Sequence, residues 1–278
     1  MRLFLIITLT MCAFAANSVL TRAAVDGGHL GPAAFAIVRV SAGAITLGAL
    51  VMWRGGAFPL MRPARLVGAF SLTVYMAGFS LAYLSLDAGL GALILFGVTQ
   101  ITMFAHSAMT GQRPDVRQIS GAAIAFSGLV LVLWPGAESF TDPFGAGLMV
   151  LAGLGWAVYS IAGRGAADPL AASAANFILC LPLICLLLVL TGVEMQGDAT
   201  GFLLAILSGA LTSGLGYVLW YMVLRQITGT TAAVVQLSVP VIAIVAGALL
   251  LGEAVSFKVT IAALLVLGGI GWAVTARR

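Results

Sequence analysis

A chain of 278 residues that is 62% hydrophobic and only 8% charged, with a mean hydropathy of +1.14, excludes an ordinary soluble domain, in which about a quarter of the residues are charged. Its length allows about ten bilayer-spanning helices of ~20 residues joined by short links, and leaves no soluble domain of useful size. The net charge is +4, and no basic cluster or aromatic–basic patch points to nucleic acid.

Apolar runs place candidate spans at residues 3–21, 32–53, 66–86, 88–110, 118–135, 144–163, 171–191, 201–224, 230–251 and 258–276. Turn signals separate most of them: Asp26-Gly27-Gly28, Arg54-Gly55-Gly56, Pro135-Gly136, Asp168-Pro169 and Gly252-Glu253. The link from Asp87 to Gly89 is so short that spans three and four must form a tight hairpin.

The opening Met1-Arg2, the apolar stretch after it and Ala13-Phe14-Ala15 imitate a signal peptide. An internal repeat argues instead that this span is retained. With a shift of 142, Ala15, Ser18, Arg22 and Ala24 fall on Ala157, Ser160, Arg164 and Ala166; with a shift of 140, Leu84, Gly89, Ala92, Ala108 and Gly128 fall on Leu224, Gly229, Ala232, Ala248 and Gly268. Five spans are therefore read as duplicated, in units 1–137 and 142–278. An odd number of spans per unit inverts the second copy, and inverted repeats with a site near the midplane are a transporter signature. The expected fold is an all-α membrane protein of ten transmembrane helices in two inverted five-helix repeats.

Lys and Arg orient it. With the N-terminus cytoplasmic, Arg2, Arg54, Arg62, Arg65, Arg113, Arg117, Arg164, Arg225, Arg277 and Arg278 share the cytoplasmic side, whereas only Arg22 and Lys258 lie outside. Both termini are expected in the cytoplasm. Gly121, Gly128, Gly153, Gly155, Gly268, Gly269 and Gly271 sit inside spans, where small residues let membrane helices pack closely. Cys12, Cys180 and Cys185 lie in apolar runs without metal spacing and read as small buried hydrophobes.

Aromatics recur at helical spacing. Tyr75, Phe79 and Tyr83 form a stripe on span three, Tyr217 and Tyr221 another on span eight beside Trp220, and Trp156 and Tyr159 a third on span six. Tyr83 and Tyr221, close to span ends, also suit an interfacial belt, whereas Tyr75 and Tyr217 lie near mid-span, where a phenol needs a partner. On span one, Thr10, Phe14, Asn17 and Thr21 share a face. The amides Asn17, Gln100 and Gln236 serve either interhelical hydrogen bonds or recognition of a polar ligand. Pro240 interrupts span nine. His106 reads as a buried neutral histidine. Arg39, the one firmly charged side chain inside a span, reads as a structural charge that pairs or snorkels to the outer surface, with anion or carboxylate binding as the sharper alternative.

Absences narrow the field. No Asp or Glu lies deep in a span and the only lysine, Lys258, is at an edge, which disfavours carboxylate-based proton antiport and carriers of phosphorylated solutes. Neither HExxH, GxxxxGK[ST], a Ser–Lys pair nor paired intramembrane aspartates occur, so no catalytic, cofactor or metal site is expected.

Leu154-Gly155-Trp156-Ala157-Val158-Tyr159-Ser160 followed by Arg164, Arg39 in span two, Ala82-Tyr83-Leu84-Ser85, and Leu237-Ser238-Val239-Pro240-Val241 through Gly252-Glu253 together resemble the drug/metabolite transporter superfamily, specifically its ten-helix EamA type. The first half departs from the pattern: Gln100 stands where a proline would repeat Pro240, and Gly111-Gln112-Arg113 lacks a counterpart of Glu253. The resemblance implies an alternating-access carrier of the bacterial inner membrane, with a cavity lined by helices 1, 3, 4, 6, 8 and 9. The substrate-cavity candidates are Asn17, Tyr75, Phe79, Tyr83, Gln100, Trp156, Tyr159, Tyr217, Trp220, Tyr221, Gln236 and Pro240. The charge-poor, aromatic lining suits amino acids with apolar or aromatic side chains, Met and Thr, as in the aromatic amino acid exporters; export of drugs or organic cations is the alternative. The expected partners are the small-molecule substrate and the lipid bilayer, with the protein acting as a monomer.

Overall fold

A computed structural model describes residues 2–110, 116–134, 142–191, 195–227, 232 and 235–274. Among them the chain forms ten helices and no strand: α1 (Arg2–Val25), α2 (Pro32–Trp53), α3 (Pro63–Ala82), α4 (Ala88–Met109), α5 (Val116–Leu133), α6 (Pro143–Gly163), α7 (Pro169–Thr191), α8 (Ala199–Leu224), α9 (Ser238–Leu251) and α10 (Phe257–Val274). Seven are long and apolar enough to cross a membrane, and α5, α9 and α10 are shorter apolar helices. The turn signal at Pro135-Gly136, the Gly111-Gln112-Arg113 segment and the terminal Arg277 and Arg278 lie outside the described residues.

Local chemistry sets the boundaries. Proline at the first helical position opens α2, α3, α6 and α7, where its missing N–H costs nothing. Asp142 caps α6 by accepting from the Phe144 and Gly145 amides, Asp168 caps α7 through Leu170 and Ala171, and Asp198 caps α8 through Gly201. Gly252, at φ +69°, ends α9 in the left-handed region. Two expected spans move. Span three runs from Pro63 to Ala82 and not over 66–86, because Pro63 starts it early and the chain turns after Ala82. In span nine the helix is interrupted by a turn at Leu237 and continues from Ser238, which puts Pro240 in a first turn where no earlier carbonyl needs its N–H.

The helix exteriors are apolar, with Phe4, Leu9, Ile45, Phe70, Phe126 and Leu249 exposed, as lipid-facing surfaces require. Packing crosses between the halves of the chain. α2 lies on α7, α3 on α6 and α7, α4 on α6 and α9, α5 on α10, and α1 on α8 and α9. Small residues permit this closeness: a side chain at Gly155 would meet the Ser71 carbonyl and the Tyr75 backbone on α3, and one at Gly269 the Gly121 carbonyl on α5.

Polar chemistry collects at the two ends of the bundle. At one end Arg22 meets Asp26 at 3.0 Å, Asp87 at 3.3 Å and Glu253 at 3.7 Å, and Glu253 also accepts from the Ala88 amide. At the same end His29 Nδ1 lies 2.7 Å from Asp198, and Ser85 donates to Asp142. At the other end Arg54 pairs with Asp168 at 2.7 Å, and Arg225 donates to the Ala167 carbonyl. Contrary to expectation, His106 and Cys12 are exposed, because both lie on outward faces of α4 and α1; Cys180 is buried and all three cysteines are free.

Candidate functional site

Where α1, α3, α6 and α8 converge, their aromatic side chains pack into one cluster. Phe14 meets Trp156 edge-on at 5.2 Å, Tyr217 at 5.9 Å and Trp220 at 5.7 Å. Trp156 in turn contacts Tyr75 at 5.3 Å, Tyr217 at 4.8 Å and Tyr159 at 5.4 Å. Edge-on and tilted contacts place positive ring edges on negative faces, which stabilises each pair beyond its burial. Phe14, Asn17, Tyr75, Phe79, Trp156 and Tyr217 surround a small cavity with Leu95 and Phe96. Its volume is about 10 Å³, room for roughly one water, so the site is closed down in this conformation.

Three of the predicted cavity residues serve the cluster from behind. Gln236 accepts from Trp156 Nε1 at 3.4 Å and donates to the Ala232 carbonyl. Trp220 Nε1 donates to Ser160 at 3.3 Å. Tyr221 stacks on Tyr159 at 5.2 Å and donates to the Tyr159 carbonyl. Tyr83 and Tyr221 are fully buried; they form no interfacial belt, because Tyr83 turns inward onto Phe79 at 4.8 Å and Tyr221 onto Tyr159. Gln100 and Pro240 are buried outside the cavity wall, and Gln100 Nε2 has no hydrogen-bond partner among the described residues.

Arg39 does not snorkel, and it pairs with no acid among the described residues. It is fully buried, and its Nε donates to Ser213 at 2.8 Å while Nη2 donates to Tyr217 Oη at 2.9 Å and Tyr75 Oη at 3.0 Å. Its guanidinium lies over the Phe79 ring at 4.8 Å. The inward direction follows from the close approach of α2 to α8, where Gly209 faces the Arg39 carbonyl and Gly43 faces the Gly209 carbonyl.

Residues that sequence reasoning left unassigned complete the site. α8 takes π-helical turns over Ser208–Leu215, a distortion frequent at functional sites. These turns aim Ser208, Thr212 and Ser213 together at Asn17 Oδ1. The Ser/Thr cluster in an apolar span was the available signal. Asn176, an amide inside span seven, was equally visible: its Nδ2 donates to Tyr221 Oη at 3.3 Å, and its Oδ1 accepts from Arg65 at 3.5 Å. Arg65 belongs to the wall of a second cavity, about 490 Å³, at the Arg54 end of the bundle, together with Phe58, Arg62, Ala162 and Asp168. A hydrogen-bonded path thus joins that cavity to the ring cluster.

At the opposite end, burial raises the Glu253 carboxyl above its usual range. The Ser85 hydroxyl holds Asp142 below it, and the His29 ring does the same for Asp198.

Residues 143–275 match the EamA-like transporter family. The chain is 44% identical to an uncharacterized protein of Pseudomonas aeruginosa over 97% of its own length and 93% of that protein's. It is 23% identical to an uncharacterized transporter of Archaeoglobus fulgidus over 73% of this chain and 74% of the other. A solved crystal structure of a protein 19% identical in sequence superposes with a TM-score of 0.72 over 97% of this chain and 98% of that one, which shows a shared fold.

Proposed function

We propose that the chain, whose residues 143–275 match the EamA-like transporter family, is a multi-pass membrane transporter of small molecules and that it exports amino acids with apolar or aromatic side chains, Met and Thr among them. One observation carries this reading: the ring cluster of Phe14, Tyr75, Trp156 and Tyr217, with the Asn17 amide beside it, around a closed cavity lined by α1, α3, α4, α6 and α8. Such a lining offers apolar surface and a few directed polar groups, the usual make-up of a small-molecule site. Organic cations are the weaker substrates for it, since the charge beside the rings is the guanidinium of Arg39.

The chain works as two inverted five-helix repeats that rock about this site. Support comes from the pairing of helices. If α1–α5 are exchanged for α6–α10, α3 on α6 becomes α8 on α1, α4 on α6 becomes α9 on α1, and α2 on α7, α4 on α9 and α5 on α10 map onto themselves; all these contacts are present. The asymmetry of Lys and Arg supports an inner-membrane location with both termini cytoplasmic, so the Arg65 cavity faces the cytoplasm and the Arg22 network closes the outer side. The protein acts as a monomer.

The test is efflux of labelled Phe, Met or Thr from loaded proteoliposomes, with Tyr217→Ala and Gln236→Ala as probes. Efflux well above empty liposomes, and lost in Tyr217→Ala, is expected. Retention equal to empty liposomes across a broad amino-acid panel overturns the reading.

A further inference from the structure

We propose that Arg39 is the anchor for a carboxylate on the substrate, and that this site therefore takes apolar and aromatic carboxylates in which the acid group is obligatory and the amine is not. The inference rests on the preceding reading for the location of the site, and it narrows the substrate class.

Arg39 is fully buried and stays charged. Among the described residues its hydrogen-bond partners are all neutral, Ser213, Tyr75 and Tyr217, and its third nitrogen, Nη1, is buried with no hydrogen-bond partner. No salt bridge reaches it among the described residues, and no Asp or Glu lies deep in any span. A buried charge is normally paired, and an unpaired one inside a membrane is costly enough to mark a function. The missing counter-charge is one negative group.

The surroundings specify what kind. Tyr75 Oη accepts from Arg39 Nη2 and from Tyr217 Oη, so its own hydrogen remains to donate. Tyr75 and Tyr217 both line the cavity beside Phe14 and Trp156. Arg39 stands directly behind the lining residues Tyr75, Phe79 and Tyr217, and only its Nη1 is unused, so an anion that reaches it meets the Nη1 hydrogens and the Tyr75 O–H at one side and ring faces at the other. A planar carboxylate on an apolar or aromatic body matches that arrangement. A phosphate, with two charges to neutralise, meets one cation. For an ammonium the site offers little: Asn17 Oδ1 already accepts from Ser208, Thr212 and Ser213, and Gln236 Oε1 accepts from Trp156.

The experiment measures binding to the purified full-length protein by thermal shift and by competition, with three probes of one size: phenylalanine, hydrocinnamate (the acid without the amine) and phenethylamine (the amine without the acid). Expected are binding of phenylalanine and hydrocinnamate, and none of phenethylamine. Arg39→Gln is expected to weaken both acids by on the order of ten- to a hundredfold, the loss of one charge-assisted hydrogen-bonded contact, with partial recovery in Arg39→Lys. Should Arg39→Gln fail to fold, Tyr75→Phe keeps the ring and removes the donor; a several-fold loss confined to the two acids is expected. Binding of phenethylamine as tight as hydrocinnamate, hydrocinnamate affinity unchanged in Arg39→Gln, or acid affinities unchanged in Tyr75→Phe overturns the inference. The two readings fail separately. Arg39-dependent binding of hydrocinnamate without amino-acid efflux would sink amino-acid export alone. Amino-acid efflux indifferent to Arg39 would sink the anchor alone.

Discussion

Tyr75 Oη and Tyr217 Oη lie 3.0 Å apart, and the two residues stand 142 positions apart in the chain. That separation equals one of the two offsets, 142 and 140, that relate the halves of the sequence, so under the proposed duplication two equivalent positions meet face to face. Phe14 and Trp156 carry the same offset and touch edge-on at 5.2 Å. Equivalent residues touch only where a two-fold axis runs between them, so the proposed inverted duplication places its axis through the ring cluster. A site on that axis is equally near both repeats, which is where alternating access needs it.

The tyrosine pair is expected to act as one unit. Tyr75→Phe and Tyr217→Phe each remove a partner of Arg39 while keeping the ring. In a double-mutant cycle on thermal stability, the two substitutions together should cost less than their sum, with a coupling of about 0.5–1.5 kcal/mol. Strict additivity would mean that the hydroxyls are energetically independent.

Asn17→Ala should destabilise the fold. Three hydroxyls of the π-helical turns converge on Asn17 Oδ1, and the loss of a shared buried acceptor costs about 1–3 kcal/mol. Denaturation of the purified variant measures it. Because these turns carry Ser213, the Nε partner of Arg39, the same variant should also lower transport more than its stability loss explains.

Gly163→Ala tests the path between the larger cavity and the rings. A Cβ there would run into the Tyr221 ring, which is fully buried and bonded to Asn176. Overpacking of this kind typically costs about 1–3 kcal/mol. A lowered melting temperature and slowed efflux are expected, whereas Gly165→Ala, which has open space around it, should be silent in both.

The acid groups at the Arg22 end give opposite pH signatures. The Glu253 carboxyl is raised above 4.5, chiefly by burial, so its contribution is present below the unfolded value and is lost as pH rises through the folded one. Asp198 is lowered below 3.8, first by the His29 hydrogen bond, so its contribution is present above 3.8 and is lost as pH falls through its folded value. Melting temperature followed from neutral to acid pH should therefore show a gain just above the ordinary Glu range that disappears in Glu253→Gln. A loss at lower pH should disappear in Asp198→Asn. The reverse assignment would refute the burial argument for Glu253.

Particular residues show how far the sequence reached. The helix start at Pro32 was legible because proline's chemistry is local, whereas Pro63, Pro143 and Pro169 open their helices one to three residues before the expected spans, since apolar runs alone do not mark the first turn. The stripes Tyr75–Phe79–Tyr83 and Tyr217–Tyr221 were legible because helical spacing puts them on one face. Which way each stripe faced was not. Tyr83 and Tyr221, near span ends, suited a membrane interface by position, yet both are buried, since orientation depends on the neighbouring helix. Asn176 and the Ser208–Thr212–Ser213 group carried a signal that went unused, polar side chains in apolar spans, whose meaning appears only when Tyr221 and Asn17 are seen opposite them.

By itself the sequence determined that this is a multi-pass helical membrane protein, because apolar composition, span length and proline or glycine punctuation act within a few residues of chain. It also singled out Arg39, since a charge inside a span is conspicuous wherever it points. Only the tertiary structure decided what Arg39 does. The choice between snorkelling and facing inward rests on the approach of α2 to α8 across Gly43 and Gly209 and on hydroxyls from residues 36, 174 and 178 positions away. No local rule of sequence reports which distant side chains share one buried volume.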